Sequence, residues 1–307
     1  MPNKGNSRTG RAPGGVRALI TEALAERTPG GVRPGELHRG VRALRWVETG
    51  PAEGLPIVLV AGCGECSLTW APLLPELAEL GRAVAYDRAG LGASAPDRAP
   101  RPTLDAQVED LAALIRHLDA GPAVLVGHSW GGQLVQLLAR QRPELVAGLV
   151  LVDPAHEEFR PRAIALAEAA LLRLSLLRTA LAPAAPAPGD ALGRAGAAAV
   201  ARPHQRRAVL AEHRLTALAA PALRRRRAAA PLPGVPVTVL SATEGLPRAL
   251  RARFTAAQAG IAAGAAGAVH TVVPGAGHYI HADRPDVVAA AVREVSDPAR
   301  IARNAGH

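Results

Sequence analysis

The residues best able to do chemistry lie in the pentapeptide 127–131, which reads Gly-His-Ser-Trp-Gly. A short apolar run at 123–126 precedes it, and apolar residues at helical spacing follow it over 132–139. A serine on a tight turn between a strand and a helix exposes its hydroxyl, and flanking glycines let the backbone approach closely. The positive end of the following helix favours a developing negative charge there. The pattern therefore predicts that Ser129 is a nucleophile.

A histidine near the C-terminal end of the chain could activate this serine. A serine hydroxyl is a poor nucleophile until a histidine accepts its proton, and a carboxylate must orient that histidine. Residues 269–273 are typical of a strand, and the glycine-containing loop at 274–279 carries His278. We therefore expect His278 to be the general base. Two alternatives stay open: His281 is the base, or His278 is an ordinary exposed loop residue.

Four segments of the chain resemble the motifs of the α/β-hydrolase family, and they occur in the family's order. They are residues 58–64 (strand and oxyanion loop), 85–94 (strand-end turn Asp-x-x-Gly-x-Gly-x-Ser), 127–132 (nucleophile elbow) and 277–278 (histidine loop). One departure is Ala61, which stands where family members usually have a histidine that braces the oxyanion loop. The resemblance spans about residues 40–296 and implies a capped, single-domain serine hydrolase.

The resemblance also implies the remaining site residues. The backbone N–H groups of Cys63 and Trp130 would form the oxyanion hole. Four further residues would contact the substrate: Gly62, Gly64, His128 and Tyr279. A reaction of this kind needs no metal and no organic cofactor, so we expect neither.

The carboxylate that orients His278 has two candidates. Asp153 directly follows the apolar run at 149–152, whereas Glu244 lies just past the next predicted strand. Both positions are used in the family that the chain resembles. Residues 153–158 resemble those of relatives that place the acid early. We therefore prefer Asp153 and keep Glu244 as the alternative.

The order of predicted elements indicates an α/β fold. Strands are predicted at residues 41–48, 57–61, 82–87, 123–126, 148–152, 235–241 and 268–273, and helices at 70–80, at 103–118 and from 285 onward. Strands that alternate with helices imply a mostly parallel central sheet with helices on both faces. Sites in such sheets form at the carboxyl ends of the strands, where the proposed catalytic residues lie.

The strand rhythm stops between about residues 155 and 234, a stretch rich in Ala, Leu and Arg. In the family that the chain resembles, an insertion at this point is a helical lid over the active site. We therefore predict a helical cap at 155–234 and an α/β-hydrolase core at 38–154 and 235–307. The alternative is that the insertion only adds packing.

The segment at 1–37 is basic and rich in Gly and Pro. It lacks the apolar region of a secretory signal, because Arg17 interrupts the apolar residues at 16–20. We predict a flexible or loosely packed leader, with a short helix at about 16–27 as the alternative.

The distribution of charged and apolar residues bears on whether the protein binds nucleic acid or spans a membrane. Its 307 residues carry a formal net charge of +10, which comes almost entirely from Arg because Lys4 is the only lysine. Apart from a cluster at 224–227 these arginines are scattered, and no nucleic-acid motif accompanies them. No run approaches the roughly 18 apolar residues that a membrane span requires. We expect a cytoplasmic enzyme with a small-molecule acyl substrate, without a nucleic-acid partner and without a membrane span; the oligomeric state stays open.

Two cysteines, Cys63 and Cys66, have the C-x-x-C spacing. This spacing can indicate half of a metal site or a redox pair, but a zinc site needs further ligands. We interpret the two as small thiols in the predicted oxyanion loop, and whether they pair stays open.

The predicted reaction is two-step acyl transfer on a carboxylic ester, lactone or thioester. An acyltransferase, a carbon–carbon hydrolase or a cofactor-free perhydrolase could use the same residues, and a non-catalytic ligand-binding relative is a further alternative. A serine at position 129 speaks against epoxide hydrolase and haloalkane dehalogenase chemistry, which use an aspartate there in this fold.

Overall fold

A central sheet organises the molecule. The computed structural model describes residues 15–40, 42–96, 102–159, 162–181, 186–187 and 189–305. Within these ranges the strands are β1 (Arg33–Arg39), β2 (Arg42–Thr49), β3 (Pro56–Val60), β4 (Arg82–Asp87), β5 (Ala123–His128), β6 (Val146–Val152), β7 (Val237–Ala242) and β8 (Val269–Val273). They form one sheet in the order β1-β2-β4-β3-β5-β6-β7-β8. The pairs β1–β2 and β2–β4 are antiparallel and the others are parallel, which confirms the predicted mostly parallel sheet.

Helices connect these strands and cover both faces of the sheet. They are α1 (Val16–Ala25), α2 (Leu74–Ala78), α3 (Leu104–Leu118), α4 (Trp130–Gln141), α5 (Arg162–Leu181), α6 (Ala191–Ala201), α7 (Pro203–Leu218), α8 (Ala220–Ala229), α9 (Arg248–Ala263), α10 (Ile280–Asp283), α11 (Pro285–Val295) and α12 (Pro298–Ala305). Among the described helices, none combines the length and the apolar character needed to cross a bilayer.

The sheet has a hydrophobic core on each face. Every residue of β3 is buried. Ile57 and Leu59 pack in the cluster that contains α1, α2 and α11, whereas Val58 and Val60 pack in the cluster that contains α3 and α4. Successive side chains of a strand point to opposite faces, so a strand covered on both sides reads as a continuous apolar run.

Residues 15–37 do not form the loosely packed leader that was expected; the alternative, a short helix at about 16–27, is present as α1. Helix α1 buries Ile20, Ala23 and Leu24 against the core, a set at the i, i+3, i+4 spacing of one helical face. Strand β1 extends the sheet although its sequence contains a proline and a glycine. Gly35 faces Trp46, and a Cβ there would lie 2.0 Å from the indole ring, so β1 fits because this position is glycine. Residues 1–14 lie outside the described residues.

The helix predicted at 70–80 is wrong in its extent. A short 3-10 helix at Ser67–Trp70 and α2 take its place. Pro72 and Pro75 explain the break, because proline has no N–H to donate and is tolerated only in the first turn of a helix. Pro75 occupies that first turn in α2. By contrast, the predicted cap of α3 is confirmed: the Thr103 hydroxyl accepts a hydrogen bond from the N–H of Ala106 at 3.1 Å.

Candidate active site

Ser129 lies on a sharp turn between β5 and α4. Its backbone has φ 50° and ψ −115°, a conformation that L-residues rarely adopt and that costs roughly 1–3 kcal/mol. The Ser129 N–H donates to the carbonyl of Val152 at 3.1 Å, which holds the turn against β6. A Cβ on Gly131 would lie 2.0 Å from the carbonyl oxygen of Val60, so only glycine lets α4 begin this close to β3. The turn therefore directs the serine side chain away from the sheet.

His278 and Asp153 are joined by a hydrogen bond of 2.7 Å between Nδ1 and Oδ2. Asp153 follows β6 and is fully buried. Its Oδ1 accepts hydrogen bonds from the Ala242 N–H at 3.1 Å and from Gln258 Nε2 at 2.9 Å, and Arg251 Nη1 lies 3.3 Å away. Burial alone would raise the pKa of Asp153, but the hydrogen bond and charge of His278, with the other donors, lower it below its usual value. The carboxyl group is therefore held in its ionised form.

The ionised carboxylate defines the orientation and tautomer of His278. A proton on Nδ1 satisfies the bond to Asp153 and leaves Nε2 as the hydrogen-bond acceptor. The His278 side chain is 40% exposed, and it lines the same cavity as Ser129 and Cys63. The residues expected from the sequence to be the nucleophile, the base and the preferred acid therefore line one cavity. Both residues expected to form the oxyanion hole, Cys63 and Trp130, line it as well.

Glu244, the alternative acid, lies elsewhere. Its side chain is exposed, and its carboxylate accepts a hydrogen bond from the Thr243 hydroxyl at 3.3 Å. The Glu244 N–H donates to the carbonyl of Ala276. Asp153 is therefore the candidate carboxylate that contacts His278.

The cavity above Ser129 has a volume of about 330 Å³. Its apolar wall includes Phe159 and Phe254, whose stacked rings have centroids 4.7 Å apart. Polar side chains also reach the cavity: Gln133, His156, Glu157, Glu168, His213, Thr216 and Arg251. His213 and Leu223 belong to the segment at 155–234, so residues of the predicted cap and of the predicted core line one cavity.

Cys63 lies in a loop in which both neighbouring N–H groups donate to carboxylates. The Gly62 N–H donates to Glu65 Oε2 at 2.9 Å, and the Gly64 N–H donates to Glu212 Oε2 at 2.5 Å. Gly64 has φ +75°, a conformation that favours glycine. These contacts hold the loop on either side of the residue that faces the cavity.

Arg88 braces the same loop from behind, next to Ala61, where the family usually has a histidine. Its Nη1 donates to the Ala61 carbonyl at 2.7 Å and its Nη2 to the Gly62 carbonyl at 2.5 Å. Arg88 Nε also donates to Glu212 Oε1 at 2.7 Å. Burial alone would lower the pKa of Arg88, but the Glu212 carboxylate raises it above its usual value. The Arg88 guanidinium thus braces this part of the loop, which the side chain of Ala61 cannot do in place of the usual histidine.

The rings of His128 and Tyr279, which are expected to contact substrate, pack beside His278, with centroids 4.7 Å and 5.6 Å from that of His278. The imidazole of His128 is fully buried; its Nδ1 is 3.2 Å from Glu65 Oε2 and its Nε2 is 3.0 Å from the His278 carbonyl oxygen. Burial alone would raise the pKa of Glu65, but His128 lowers it to about 2. The negative charge of Glu65 raises the pKa of Tyr279. This placement favours a structural role for both residues, because their side chains are engaged with Glu65.

The expected glycine contacts are also indirect. Among the described residues that line the cavity, Cys63 is present, whereas Gly62, Gly64, His128 and Tyr279 are not. The two glycines act through their backbone, since both N–H groups are directed at carboxylates. Direct contact with substrate stays a prediction for these four residues, which lie beside residues that line the cavity.

His281 is buried against the 3-10 helix that precedes α2. Its Nε2 lies 3.0 Å from the Thr69 hydroxyl, and its ring centroid is 4.5 Å from that of Trp70. Burial, followed by the charge of His128, lowers the pKa of His281 to about 3. A neutral, fully buried ring in this position is poorly suited to accept a proton from Ser129.

Cys63 and Cys66 are not joined by a disulfide. Burial raises the pKa of Cys66 to about 12, with a smaller contribution from Asp87. In the part of the chain that the structure describes, no group of three or more His, Cys, Asp or Glu side chains is arranged to hold a metal ion.

Several residues of the site have no motif that identifies them in the sequence. Glu65, Glu212, Arg251 and Gln258 all contact residues of the predicted site, yet they come from a loop and from helices whose sequences carry no signature. Arg88 had one available signal, because it directly follows the strand-end aspartate of the family's turn motif.

Comparison with known proteins gives the class of this fold and site. The sequence matches the model of the Alpha/beta hydrolase family over residues 57–291. This match covers more than two thirds of the chain, so the protein belongs to the alpha/beta hydrolase family.

Individual relatives are similar over shorter stretches. YqjL of Bacillus subtilis, described as an uncharacterized protein, is 40% identical over 105 residues, which are 34% of this chain and 41% of YqjL. Lipase LipV of Mycobacterium tuberculosis is 43% identical over 111 residues, which are 36% of this chain and 40% of LipV. The matched stretches thus span less than half of the length of these relatives.

Solved structures extend the similarity to most of the chain. Epoxide hydrolase CorEH aligns with a TM-score of 0.68 at 20% identity, covering 88% of this chain and all 100% of that one. Carboxylesterase CesB from Bacillus subtilis aligns with a TM-score of 0.67 at 18% identity, covering 91% and 96%. At these identities the similarity shows a shared fold.

Proposed function

We propose that this protein is a serine hydrolase that cleaves ester-type small molecules: carboxylic esters, lactones or thioesters. Ser129 is the nucleophile, His278 the general base and Asp153 the acid of the triad. The observation that supports this proposal most is the 2.7 Å hydrogen bond between His278 Nδ1 and Asp153 Oδ2, beside the cavity that Ser129 lines.

The first half of the reaction forms an acyl-enzyme. Ser129 Oγ attacks the carbonyl carbon of the substrate while its proton moves to His278 Nε2, and the carbonyl oxygen becomes an oxyanion. Asp153 stabilises the resulting imidazolium because its carboxylate is buried next to Nδ1. When the tetrahedral intermediate collapses, the leaving group takes the proton from His278 Nε2.

The backbone N–H groups of Cys63 and Trp130 hold the oxyanion. Trp130 begins α4, so its N–H belongs to the end of the helix that favours negative charge. Removing one such donor typically reduces the rate by roughly 10²–10³. In the second half of the reaction, water gives its proton to His278 and attacks the acyl carbon. The second tetrahedral intermediate then breaks its bond to Ser129 Oγ and releases the carboxylic acid, and Ser129 Oγ takes the proton back from His278.

The segment at 155–234 serves as a cap over this site. Its side chains His213 and Leu223 contribute to the cavity wall, which limits the substrate to a small molecule. The phenylalanine pair accepts an apolar acyl or leaving group. Similarity to a protein named a lipase over about a third of the chain supports the ester class.

Hydrolysis of p-nitrophenyl esters of increasing acyl length tests this function. We expect turnover with short to medium chains, with an optimum set by the cavity. Ser129→Ala, purified in parallel, controls for contaminating esterase. A complete lack of turnover across carboxylic esters, lactones and thioesters would contradict the proposal and favour a non-catalytic ligand-binding protein.

A further inference from the structure

We propose that Glu212 of helix α7 is a positioning residue for the oxyanion hole. Its carboxylate links the predicted cap to the loop around Cys63, so that α7 and the oxyanion hole assemble as one unit. The catalytic part of this inference rests on the proposed function, whereas the structural part does not.

Four N–H donors surround the two carboxylate oxygens of Glu212. Oε1 accepts from Arg88 Nε at 2.7 Å and from Gln107 Nε2 at 2.5 Å. Oε2 accepts from the Gly64 N–H at 2.5 Å and from Arg88 Nη2 at 2.7 Å. A carboxylate satisfies this arrangement because it only accepts hydrogen bonds. An amide at the same position would direct its NH₂ group at two donors in either orientation.

The network reaches both residues that are proposed to hold the oxyanion. On one side, the Gly64 N–H follows Cys63 directly in the chain. On the other side, Gln107 Oε1 accepts a hydrogen bond from Trp130 Nε1 at 3.1 Å. One side chain on α7 thus connects, through a single bond or a single intervening residue, to both segments that carry the oxyanion donors.

Because the groups that make these contacts are buried, loss of the contacts should strongly destabilise the loop. Glu212 and Arg88 are each only 3% exposed. A buried charge that loses its partner is strongly destabilised, and a buried donor without an acceptor is unfavourable as well. If Glu212 withdraws with α7, Arg88 and the Gly64 N–H lose their acceptor together. The loop around Cys63 is therefore expected to hold its catalytic shape only while α7 is seated.

Two variants and one matched control test this inference. Glu212→Gln removes the charge and mispairs two donors. Arg88→Lys keeps the charge but loses the planar set of donors to the loop carbonyls. Asp110→Asn is the control, because Asp110 is a buried acid that pairs with Arg42 at 2.7 Å in a different ion pair.

Hydrogen exchange of the peptide that spans residues 61–66 gives a readout independent of activity. We expect exchange at least about tenfold faster than wild type in Glu212→Gln and Arg88→Lys, and unchanged in Asp110→Asn. Exchange that stays at the wild-type rate in Glu212→Gln overturns the inference, whether or not the wild type hydrolyses esters. Equal acceleration in all three variants also overturns it, since that result indicates general destabilisation.

Kinetics then test the consequence for catalysis. For Glu212→Gln we expect kcat to fall about 10–10²-fold with KM within about threefold of wild type, because the oxyanion donors act on the transition state more than on bound substrate. Affinity for an alkylboronic acid, which forms a tetrahedral adduct, should fall by a similar factor. A kcat within about threefold of wild type, measured well below the Tm of the variant, overturns the positioning role. A wild type without any esterase activity refutes the proposed function, and the exchange result still decides the structural link.

Discussion

The imidazole of His278 and the carboxylate of Asp153 meet at 2.7 Å across 125 residues of sequence. Asp153 follows β6 and His278 follows β8, with β7 between these strands in the sheet. Parallel strands end at the same edge, so the topology of the sheet creates this contact. If this pair acts with Ser129 as a catalytic triad, substitution of any of the three residues should lower turnover strongly.

Replacing the nucleophile should abolish activity. Ser129→Ala removes the only atom that becomes acylated in this mechanism, and loss of the nucleophile in such a unit typically lowers turnover by about 10⁶. The fold should survive, because backbone hydrogen bonds of Ser129 hold the turn. Initial rates on a p-nitrophenyl ester check this; activity within about tenfold of wild type would show that another residue is acylated.

His278 and His281 should differ sharply in their effect on turnover. His278→Ala should match Ser129→Ala in severity, because members of one catalytic unit are not additive. His281→Ala should lower turnover by less than about tenfold, since its ring is buried against Trp70 rather than facing the cavity. Parallel kcat measurements decide the matter, and the reverse ranking would show that the base has been misassigned.

The two candidate acids should also differ. Asp153→Asn should lower kcat by roughly 10³–10⁴, because an amide stabilises the wrong tautomer of His278 and no longer stabilises the imidazolium. Glu244→Gln, an exposed matched change, should alter kcat by less than about tenfold. The comparison requires both variants to keep a Tm near that of wild type. A large loss in Glu244→Gln alone would transfer the role of the acid to that residue.

Stability should fall with mild acidification because of His281. Its pKa in the fold is lowered to about 3, so the folded state keeps this histidine neutral while the unfolded state binds a proton below its ordinary pKa of about 6.5. The contribution is therefore intact above about pH 6.5 and is lost as the pH falls toward 3. Between pH 7 and pH 5 this amounts to about 2 kcal/mol.

Urea unfolding at pH 7 and pH 5 measures this effect. His281→Gln should lose about 2 kcal/mol less than wild type over this interval. Glu65 does not confuse the comparison, because its lowered pKa of about 2 makes its contribution disappear only below its ordinary value of about 4.5. Equal losses in wild type and His281→Gln would contradict the assignment.

The residues proposed as the triad could be identified in the sequence because each belongs to a local motif. Ser129 has glycines and a following helix, and His278 has a loop after a strand, so a few neighbouring residues define each position. Asp153 needed one further step, the choice between two strand ends, and the hydrogen bond to His278 favours the earlier one.

Residues that act through long-range contacts could not be predicted in this way. Glu212 contacts Gly64 across 148 residues, and nothing in the sequence around either residue indicates the other. His128 lies inside the elbow motif, yet its surroundings could not be predicted from that motif. Its buried imidazole contacts the carboxylate of Glu65, which lies 63 residues away in the sequence. Similarly, α1 has only three buried residues in its pattern. The sequence of α1 therefore does not indicate that the helix packs against the core of the sheet.

Mass spectrometry after treatment with a fluorophosphonate tests the central claim most directly. The reagent modifies a serine only when a base activates the hydroxyl and donors stabilise the phosphoryl oxygen. The catalytic assignment predicts one adduct per chain, located on Ser129 by peptide mapping, with ester hydrolysis lost in proportion to labelling. An unmodified Ser129 in folded protein, or hydrolysis that persists after complete labelling, would contradict it.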